Sequence, residues 1–164
     1  KALINFAKEK DIETKILNSV LTVNDEQPLH LVELLKEEIG GLEGKKIALL
    51  GLTFKGGTDD IRETRALPIA LKLIEEGSDV IGYDPKGAKN FSDLLGDKID
   101  FSNNLKESLM NAEACIIQND WDEFKNLKSQ DFEVMKNKII IDGRRILDEE
   151  KLESDIDYIG VGRG

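Results

Sequence analysis

Apolar residues recur every three or four positions through the first 39 residues, which is the spacing of an amphipathic helix. The first apolar set is Leu3, Ile4 and Ala7. After a break near Asp11, the second set is Ile16, Leu17, Val20, Leu21, Leu31, Val32, Leu34, Leu35 and Ile39. We expect Pro28 to kink or interrupt this helix, and we expect Gly40-Gly41 to end it. The pattern therefore predicts a long helical segment over residues 1–41.

The pattern changes at residue 45, where short apolar runs begin to alternate with helical spacing. Strands are predicted at 46–51, 79–84, 99–101, 114–118, 138–142 and 158–161. Helices are predicted at 66–76, 92–95, 105–111 and within 124–135. Strands alternating with helices indicate βαβ units, so residues 45–164 are predicted to form an α/β, Rossmann-like, doubly wound and mostly parallel sheet. In such a sheet, ligands bind beyond the carboxyl ends of the strands.

Charge and composition exclude several classes of protein. A formal charge of −10 and only 5% aromatic residues argue against a nucleic-acid-binding surface. The sequence contains no apolar run of the about 20 residues needed to cross a bilayer, so we expect no membrane partner. A single cysteine, Cys115, and a single histidine, His30, exclude a disulfide framework and a His-rich metal site. Both counts favour a cytoplasmic setting.

One candidate ligand-binding segment follows the first predicted strand, from Gly51 to Glu63. Its glycines permit close backbone approach, and Lys55 and Arg62 supply positive charge for an anion. The segment has neither the G-x-G-x-x-G spacing of a dinucleotide fingerprint nor the Gly-Lys-Ser/Thr of a Walker loop. From these residues alone, an anion site and a solvated glycine-rich turn are equally supported.

A second candidate follows a later strand, at Asp142-Gly143-Arg144-Arg145. It is expected to open on the same edge of the sheet as Lys55. An arginine beside a glycine suits bidentate contact to a phosphate or to sugar hydroxyls. The competing interpretation, slightly favoured by the segment alone, is a surface ion pair with Asp148 or Glu149, which would contribute little.

Taken together, the separated motifs resemble the UDP-glucose/GDP-mannose dehydrogenase family, and within it the UDP-glucose 6-dehydrogenases most. The matching strings are Gly-Leu-Thr-Phe-Lys-x-x-Thr-Asp-Asp-Ile-Arg-Glu at 51–63, Tyr-Asp-Pro at 83–85, Trp-Asp-Glu-Phe at 121–124 and Asp-Gly-Arg at 142–144. Residues 2–39 are similar to the end of the family's central dimerisation helices. The resemblance implies a homodimer formed through residues 1–41 and a UDP-sugar-binding domain at 45–164.

The resemblance also assigns roles to individual residues. Phe54 and Lys55 match the family's Phe-Lys pair, which contacts the UDP-sugar substrate. Arg144 matches a substrate-contacting arginine. Arg62 matches the arginine that reaches the NAD cofactor, in some members across the subunit interface. No residue is expected to hold a metal.

The chain departs from the family pattern in ways that bear on activity. The family oxidises the sugar C6 alcohol in two NAD-dependent steps, through a cysteine thiohemiacetal and thioester. That cysteine lies in a stretch just before the start of this chain, and NAD is bound mainly by an N-terminal domain that this sequence lacks. Cys115 lies in an apolar run and is expected to be a core residue. We therefore expect a C-terminal fragment that is inactive alone.

Two local substitutions and the choice of substrate complete the sequence-based expectations. Gly56-Gly57 replaces a pair that commonly contains proline, and Arg65 stands where a small residue is frequent. A UDP-N-acetylmannosamine or GDP-mannose dehydrogenase fragment remains an alternative to the UDP-glucose enzyme. A stand-alone nucleotide-binding module without catalysis is a third possibility.

Overall fold

A computed structural model describes residues 2–162, and its centre is a six-stranded sheet. The strands are β1 (Lys46–Leu50), β2 (Asp79–Tyr83), β3 (Asp100–Phe101), β4 (Ala114–Ile117), β5 (Ile139–Asp142) and β6 (Asp157–Gly160). They lie in the order β3-β2-β1-β4-β5-β6, and every neighbouring pair is parallel. The predicted doubly wound α/β architecture is confirmed.

Helices precede the sheet and connect its strands. They are α1 (Ala2–Lys8), α2 (Lys15–Ile39), α3 (Ala66–Glu75), α4 (Ala88–Leu95), α5 (Leu105–Leu109) and α6 (Asp122–Lys125). Short 3₁₀ turns occur at Gly96–Lys98, Ser129–Phe132 and Glu149–Lys151. The helical pattern predicted within 124–135 therefore corresponds to the end of α6 and one 3₁₀ turn.

The central strands are apolar on both faces because each face is covered. Successive side chains of a strand point to opposite faces, and in β1 they enter two different cores. Ile47 and Leu49 join the core that contains α2 and α3, whereas Ala48 and Leu50 join the core that contains α5 and α6. All residues of β4 and β5 are buried, as expected of parallel strands covered on both sides.

Helix α2 continues through Pro28, so the interruption expected there does not occur. A proline removes one backbone donor, and here its ring is buried against the rest of the chain. The burial of Leu31, Val32 and Leu35 after Pro28 therefore outweighs the tendency of proline to interrupt a helix. The helix ends as predicted at Gly40, whose φ of 71° is left-handed and whose N–H donates to the Lys36 carbonyl.

The two halves of α2 differ in burial. Leu31, Val32 and Leu35 in the second half are buried and belong to the core that includes α3. In the first half, Ile16 and Val20 are largely exposed. Among the helices of residues 2–162, none combines the length and apolar character needed to cross a membrane.

Candidate functional site

The strand order places the crevice of the sheet between β1 and β4. Connections leave β1 toward β2 and β3 on one side, and they leave β4 toward β5 and β6 on the other. A ligand is expected at this switch point, beyond the carboxyl ends of the strands. Three loops surround it: residues 51–65 after β1, residues 118–121 after β4 and residues 143–148 after β5.

A buried carboxylate, that of Asp84, organises the loop after β1. Its Oδ2 accepts hydrogen bonds from Leu52 N at 2.8 Å, Thr53 N at 3.2 Å and Thr53 Oγ1 at 3.0 Å. The indole Nε1 of Trp121 donates to the same oxygen at 3.1 Å, and Gly87 N donates to Oδ1 at 2.7 Å. Asp84 is only 4% exposed. Because a buried charge is costly unless it is hydrogen-bonded, this network holds the loop in one conformation.

The same loop is also joined to the end of β4. Asn119 donates from Nδ2 to the Thr53 carbonyl and to Thr53 Oγ1, both at 2.9 Å. Gly51 has a φ of 90°, and a Cβ there would lie 2.2 Å from the Asn119 Cβ, so no larger residue fits. Further along, Gly56 N donates to Asp120 Oδ1 at 3.2 Å.

Two of the predicted substrate residues, Phe54 and Lys55, lie on the exposed part of this loop. Phe54 N donates to the Asp60 carbonyl at 2.8 Å, and the Phe54 side chain nevertheless remains 54% exposed. Lys55 is exposed beside it. Arg62 is also exposed and is bound by Asp60, with Nη2–Oδ2 at 2.7 Å and Nε–Oδ1 at 2.9 Å. Those hydrogen bonds lower the pKa of Asp60 to about 2.

A second buried carboxylate, that of Asp142, organises the loop after β5. It accepts hydrogen bonds from Arg144 N at 2.9 Å, Ile146 N at 2.9 Å, Leu147 N at 3.0 Å and Tyr158 OH at 3.1 Å. Asp142 is fully buried. The turn it encloses holds Arg145 at a φ of 51°, an uncommon conformation for a residue with a side chain. Such a conformation persists where the surroundings enforce it, so the position of Arg144 is fixed by its loop.

The loop after β5 lines two adjoining cavities at this edge, and the loop after β1 contributes Arg65 to one of them. One cavity, of about 190 Å³, is lined by Asn24, Gln27, Arg65, Gln118, Gly143 and Arg144 among others. The neighbouring one, of about 380 Å³, includes Asp120, Lys125, Arg144 and Arg145. Asp120 connects the Lys55 loop to Arg144, because it accepts from Gly56 N and shares this cavity with Arg144. The expectation that both candidates open on one edge is confirmed.

Several contributors to this edge were not predicted from the sequence. Asp84 and Asn119 had a signal, because each lies within two residues of a strand end and carries a short polar side chain suited to accepting or donating in a loop. Asn24 and Gln27 had none, because polar residues of a helix ordinarily face solvent. Arg65 stands where the family frequently has a small residue, and that difference alone assigns it no role.

Other candidates have structural explanations. Cys115 is completely buried in β4, and burial, with a smaller effect of the Asp142 charge, raises the pKa of its thiol. A thiol in that state is not a nucleophile. In an exposed acidic cluster at Glu133, Glu153 and Asp155, Lys138 binds both Glu133 and Asp155. The lysine neutralises charge that a metal would otherwise offset.

A larger cavity lies elsewhere, at the opposite edge of the sheet. It measures about 500 Å³ and includes the starts of three strands, at Lys46, Asp79 and Asp100. Its lining mixes both signs of charge, and it has no glycine-rich loop through which a ligand could approach the backbone. We therefore place the candidate site at the carboxyl edge.

Comparison with known proteins is consistent with this placement. Residues 48–149 match the model of the "UDP-glucose/GDP-mannose dehydrogenase family, UDP binding domain". The chain is 42% identical over 146 residues to UDP-glucose 6-dehydrogenase AglM of Haloferax volcanii, covering 89% of this chain and 33% of that protein. It is 31% identical to UDP-glucose 6-dehydrogenase TuaD of Bacillus subtilis, covering 99% and 36% respectively. The chain thus spans about a third of the length of these relatives.

Solved structures of dehydrogenases of this kind have a similar fold. A UDP-glucose dehydrogenase from the archaeon Pyrobaculum islandicum has a TM-score of 0.79 and 31% identity, over 93% of this chain and 36% of that one. A UDP-D-ManNAc dehydrogenase from Pyrococcus horikoshii has a TM-score of 0.80 and 27% identity, over 96% and 36%.

Proposed function

This chain belongs to the UDP-glucose/GDP-mannose dehydrogenase family, and from that premise we propose that it supplies the nucleotide-sugar half-site of a UDP-glucose 6-dehydrogenase. The reaction of the whole enzyme would convert UDP-glucose, two NAD⁺ and one water molecule to UDP-glucuronate, two NADH and three protons. One observation carries the proposal: the exposed cations Lys55 and Arg144 lie on two rigid loops at the ligand edge of a domain that matches the family's UDP-binding domain.

Each substrate residue has a role that its exposure and chemistry support. Lys55 is a mobile point charge suited to the diphosphate. Phe54 offers an exposed aromatic face to a base or sugar ring. Arg144 has a planar fork of donors that suits phosphate oxygens or paired hydroxyls. Asp84 and Asp142 contact no ligand in this scheme and act as positioning residues for the two loops.

We propose that NAD is bound mainly by residues outside this chain. Residues 51–65 separate β1 from α3, so the first helix does not begin directly at the strand end, and the G-x-G-x-x-G pattern is absent. This loop does not fit the dinucleotide diphosphate. Bound NAD would accept the hydride, and Arg62 is exposed on the loop surface where it is able to reach a cofactor held elsewhere.

The helical segment, residues 1–41, is proposed to belong to a dimerisation domain, and residues 45–164 to the UDP-sugar-binding domain. Large apolar side chains remain exposed along α1 and α2, namely Leu3, Phe6, Ile16, Val20 and Val23. Ile16, Val20 and Val23 line one shallow apolar depression on α2. Water contact with such a patch is unfavourable, and a second copy of the chain would cover it.

Turnover is proposed to need residues beyond these 164. The one cysteine of the sequence is buried in β4 and cannot supply the thioester intermediate. A single buried thiol also suits a reducing, cytoplasmic setting. A UDP-N-acetylmannosamine dehydrogenase is the second candidate, favoured by the similarity to the Pyrococcus horikoshii structure.

The test is a titration of the ¹⁵N-labelled chain with UDP, GDP and NAD, alongside Lys55→Ala. The control is Lys98→Ala, which removes another exposed lysine, at the opposite edge of the sheet. We expect UDP to bind in preference to GDP and NAD, with a dissociation constant on the order of 1 mM because half of the site is missing. Lys55→Ala should weaken UDP at least tenfold and Lys98→Ala should not.

Three outcomes would contradict the proposal: preference for GDP, preference for NAD, or no binding by a folded chain. Separate titrations with UDP-glucose and UDP-N-acetylmannosamine distinguish the two sugar substrates.

A further inference from the structure

A polar cavity lies between α2 and the loops that carry the proposed substrate residues. Its volume is about 190 Å³. Asn24 and Gln27 enter it from α2, Gln118 from the end of β4, and Arg65 and Arg144 from the loops after β1 and β5. Pro28, Leu31 and Val161 provide its apolar part. Five side chains from four separate segments thus converge with donors suited to an oxyanion.

The hydrogen-bonding state of these side chains differs from that of the rest of the edge. Asp84 and Asp142 are saturated by protein donors. By contrast, within residues 2–162 the side chains of Asn24, Gln27, Gln118 and Arg144 make no hydrogen bond to another protein group. They are open to solvent, because the described part of the chain has no buried polar atom without a partner. Their donors are available to a ligand.

The charge of the cavity is positive although the chain carries −10. Two guanidinium groups line it, and within residues 2–162 the one ion pair they make joins Arg65 Nη1 to Asp25 Oδ1 at 2.8 Å. A guanidinium has five N–H donors, so Arg65 keeps several for another acceptor. A local cationic pocket in an acidic protein concentrates anions at that place.

Two ion pairs join the ends of α3 to α2, and Arg65 belongs to one of them. Arg65 directly precedes α3 and pairs with Asp25 of α2. Glu76, directly after α3, pairs with Lys36 of α2 at 2.5 Å. These two ion pairs are alike in kind, and both join α3 to α2. Only the first one faces the cavity, so the second provides a matched control.

We propose that this cavity is an anion subsite in which Arg65, together with Arg144, binds a phosphate or carboxylate group of the nucleotide sugar. Asn24, Gln27 and Gln118 donate further hydrogen bonds to its oxygens. The inference rests on the proposed function, because Arg144 belongs to both. It adds a contact from Arg65, to which the family resemblance assigns no role.

The test measures dissociation constants of pyrophosphate, UDP-glucose and UDP-glucuronate for the wild-type chain and for Arg65→Gln by ¹⁵N chemical-shift titration. We expect Arg65→Gln to weaken binding about tenfold, which corresponds to about 1.4 kcal/mol. Weakening of all three ligands identifies a phosphate as the occupant. Weakening of UDP-glucuronate alone identifies the sugar carboxylate.

Two further variants separate ligand binding from a structural role. Lys36→Gln breaks the matched ion pair and should leave all three dissociation constants within about twofold of wild type. Asp25→Asn removes a negative charge beside the cavity and releases Arg65 Nη1, so it should tighten binding. If Asp25→Asn weakens binding as Arg65→Gln does, the pair only holds α2 in place and the inference is wrong.

The remaining outcomes distinguish this inference from the proposed function. If Lys55→Ala abolishes UDP-glucose binding while Arg65→Gln leaves it unchanged, the UDP half-site stands and the anion subsite is overturned. Suppose that Arg65→Gln weakens pyrophosphate binding but the wild-type chain binds UDP no better than GDP. The anion subsite then stands, and the proposed substrate is wrong. If the folded wild-type chain binds none of the three ligands at tens of millimolar, both are overturned.

Discussion

The two halves of helix α2 have the same apolar periodicity, but one half is buried and the other is exposed. In the second half, Leu31, Val32 and Leu35 are 4%, 1% and 0% exposed, and they pack against the sheet domain. In the first half, Ile16 and Val20 are 80% and 49% exposed. The spacing of apolar residues identifies the face of a helix that is favourably buried against another surface. It does not identify whether the covering surface belongs to the same chain. The second half packs in the core of this chain, and the exposed first half is the basis of the proposed homodimer.

The largest expected difference between the halves is in folding stability. Leu35→Ala leaves a cavity in a fully buried position, so it should lower the free energy of unfolding by about 3 kcal/mol. Val23→Ala, at a position 53% exposed, should change it by less than about 0.5 kcal/mol in dilute solution. Urea unfolding monitored by circular dichroism measures both. Equal effects would show that the exposed half is not exposed in solution.

The same contrast should extend to the loops of the candidate site. Asp142 is buried and receives four hydrogen bonds. Asp142→Asn replaces one acceptor oxygen by an NH₂ group facing N–H donors, so it should cost about 2 kcal/mol. It should also weaken UDP binding, because the loop that presents Arg144 is released. Asp148→Asn breaks the surface pair with Lys151 and leaves one side-chain oxygen that is still able to accept from the Glu150 backbone, so it should leave the urea midpoint almost unchanged. Similar values for both variants would contradict the positioning role.

A smaller effect should come from alkaline pH, and it should arise in the sheet rather than in α2. Burial raises the folded-state pKa of Cys115 above its ordinary value of 9.0, and burial and the Glu123 hydrogen bond raise that of Tyr83 above 10.0. The unfolded chain therefore loses these protons first. The contribution of these two groups to the free energy of unfolding is fully present below pH 9, and it falls as the pH rises through 9 and 10.

The pH effect is measured as urea midpoints between pH 8 and 10. Cys115→Ala should flatten the slope between pH 9 and 10, although it also lowers stability at every pH. A slope identical to wild type would exclude the thiol as its source.

The smallest effect on monomer stability is expected at the exposed face of α2. Val20→Asp should leave the urea midpoint almost unchanged but abolish self-association, because a charge would be buried between two copies. Sedimentation velocity at increasing concentration measures this. A wild-type chain that stays monomeric at high concentration would contradict the proposed homodimer.

Much of the fold was predictable because the chain alternates between two clear periodicities. The glycine-containing loops after β1 and β5 were predictable as well, because strand ends in a parallel sheet share one edge. The hydrogen-bonding role of Asp84 was not, since it depends on donors from residues distant in sequence, such as Trp121. The approach of Asn24 and Gln27 to Arg144 likewise depends on how α2 packs, and no local pattern encodes it.

The central claim is that the loops after β1 and β5 form one nucleotide-sugar half-site. Its most direct test is a map of the backbone amide shifts that UDP induces in the ¹⁵N-labelled chain. We predict that the largest shifts occur together, at Phe54–Gly57 and at Gly143 and Arg144. Shifts confined to the amino edge of the sheet, around Lys46 and Asp100, would contradict the account.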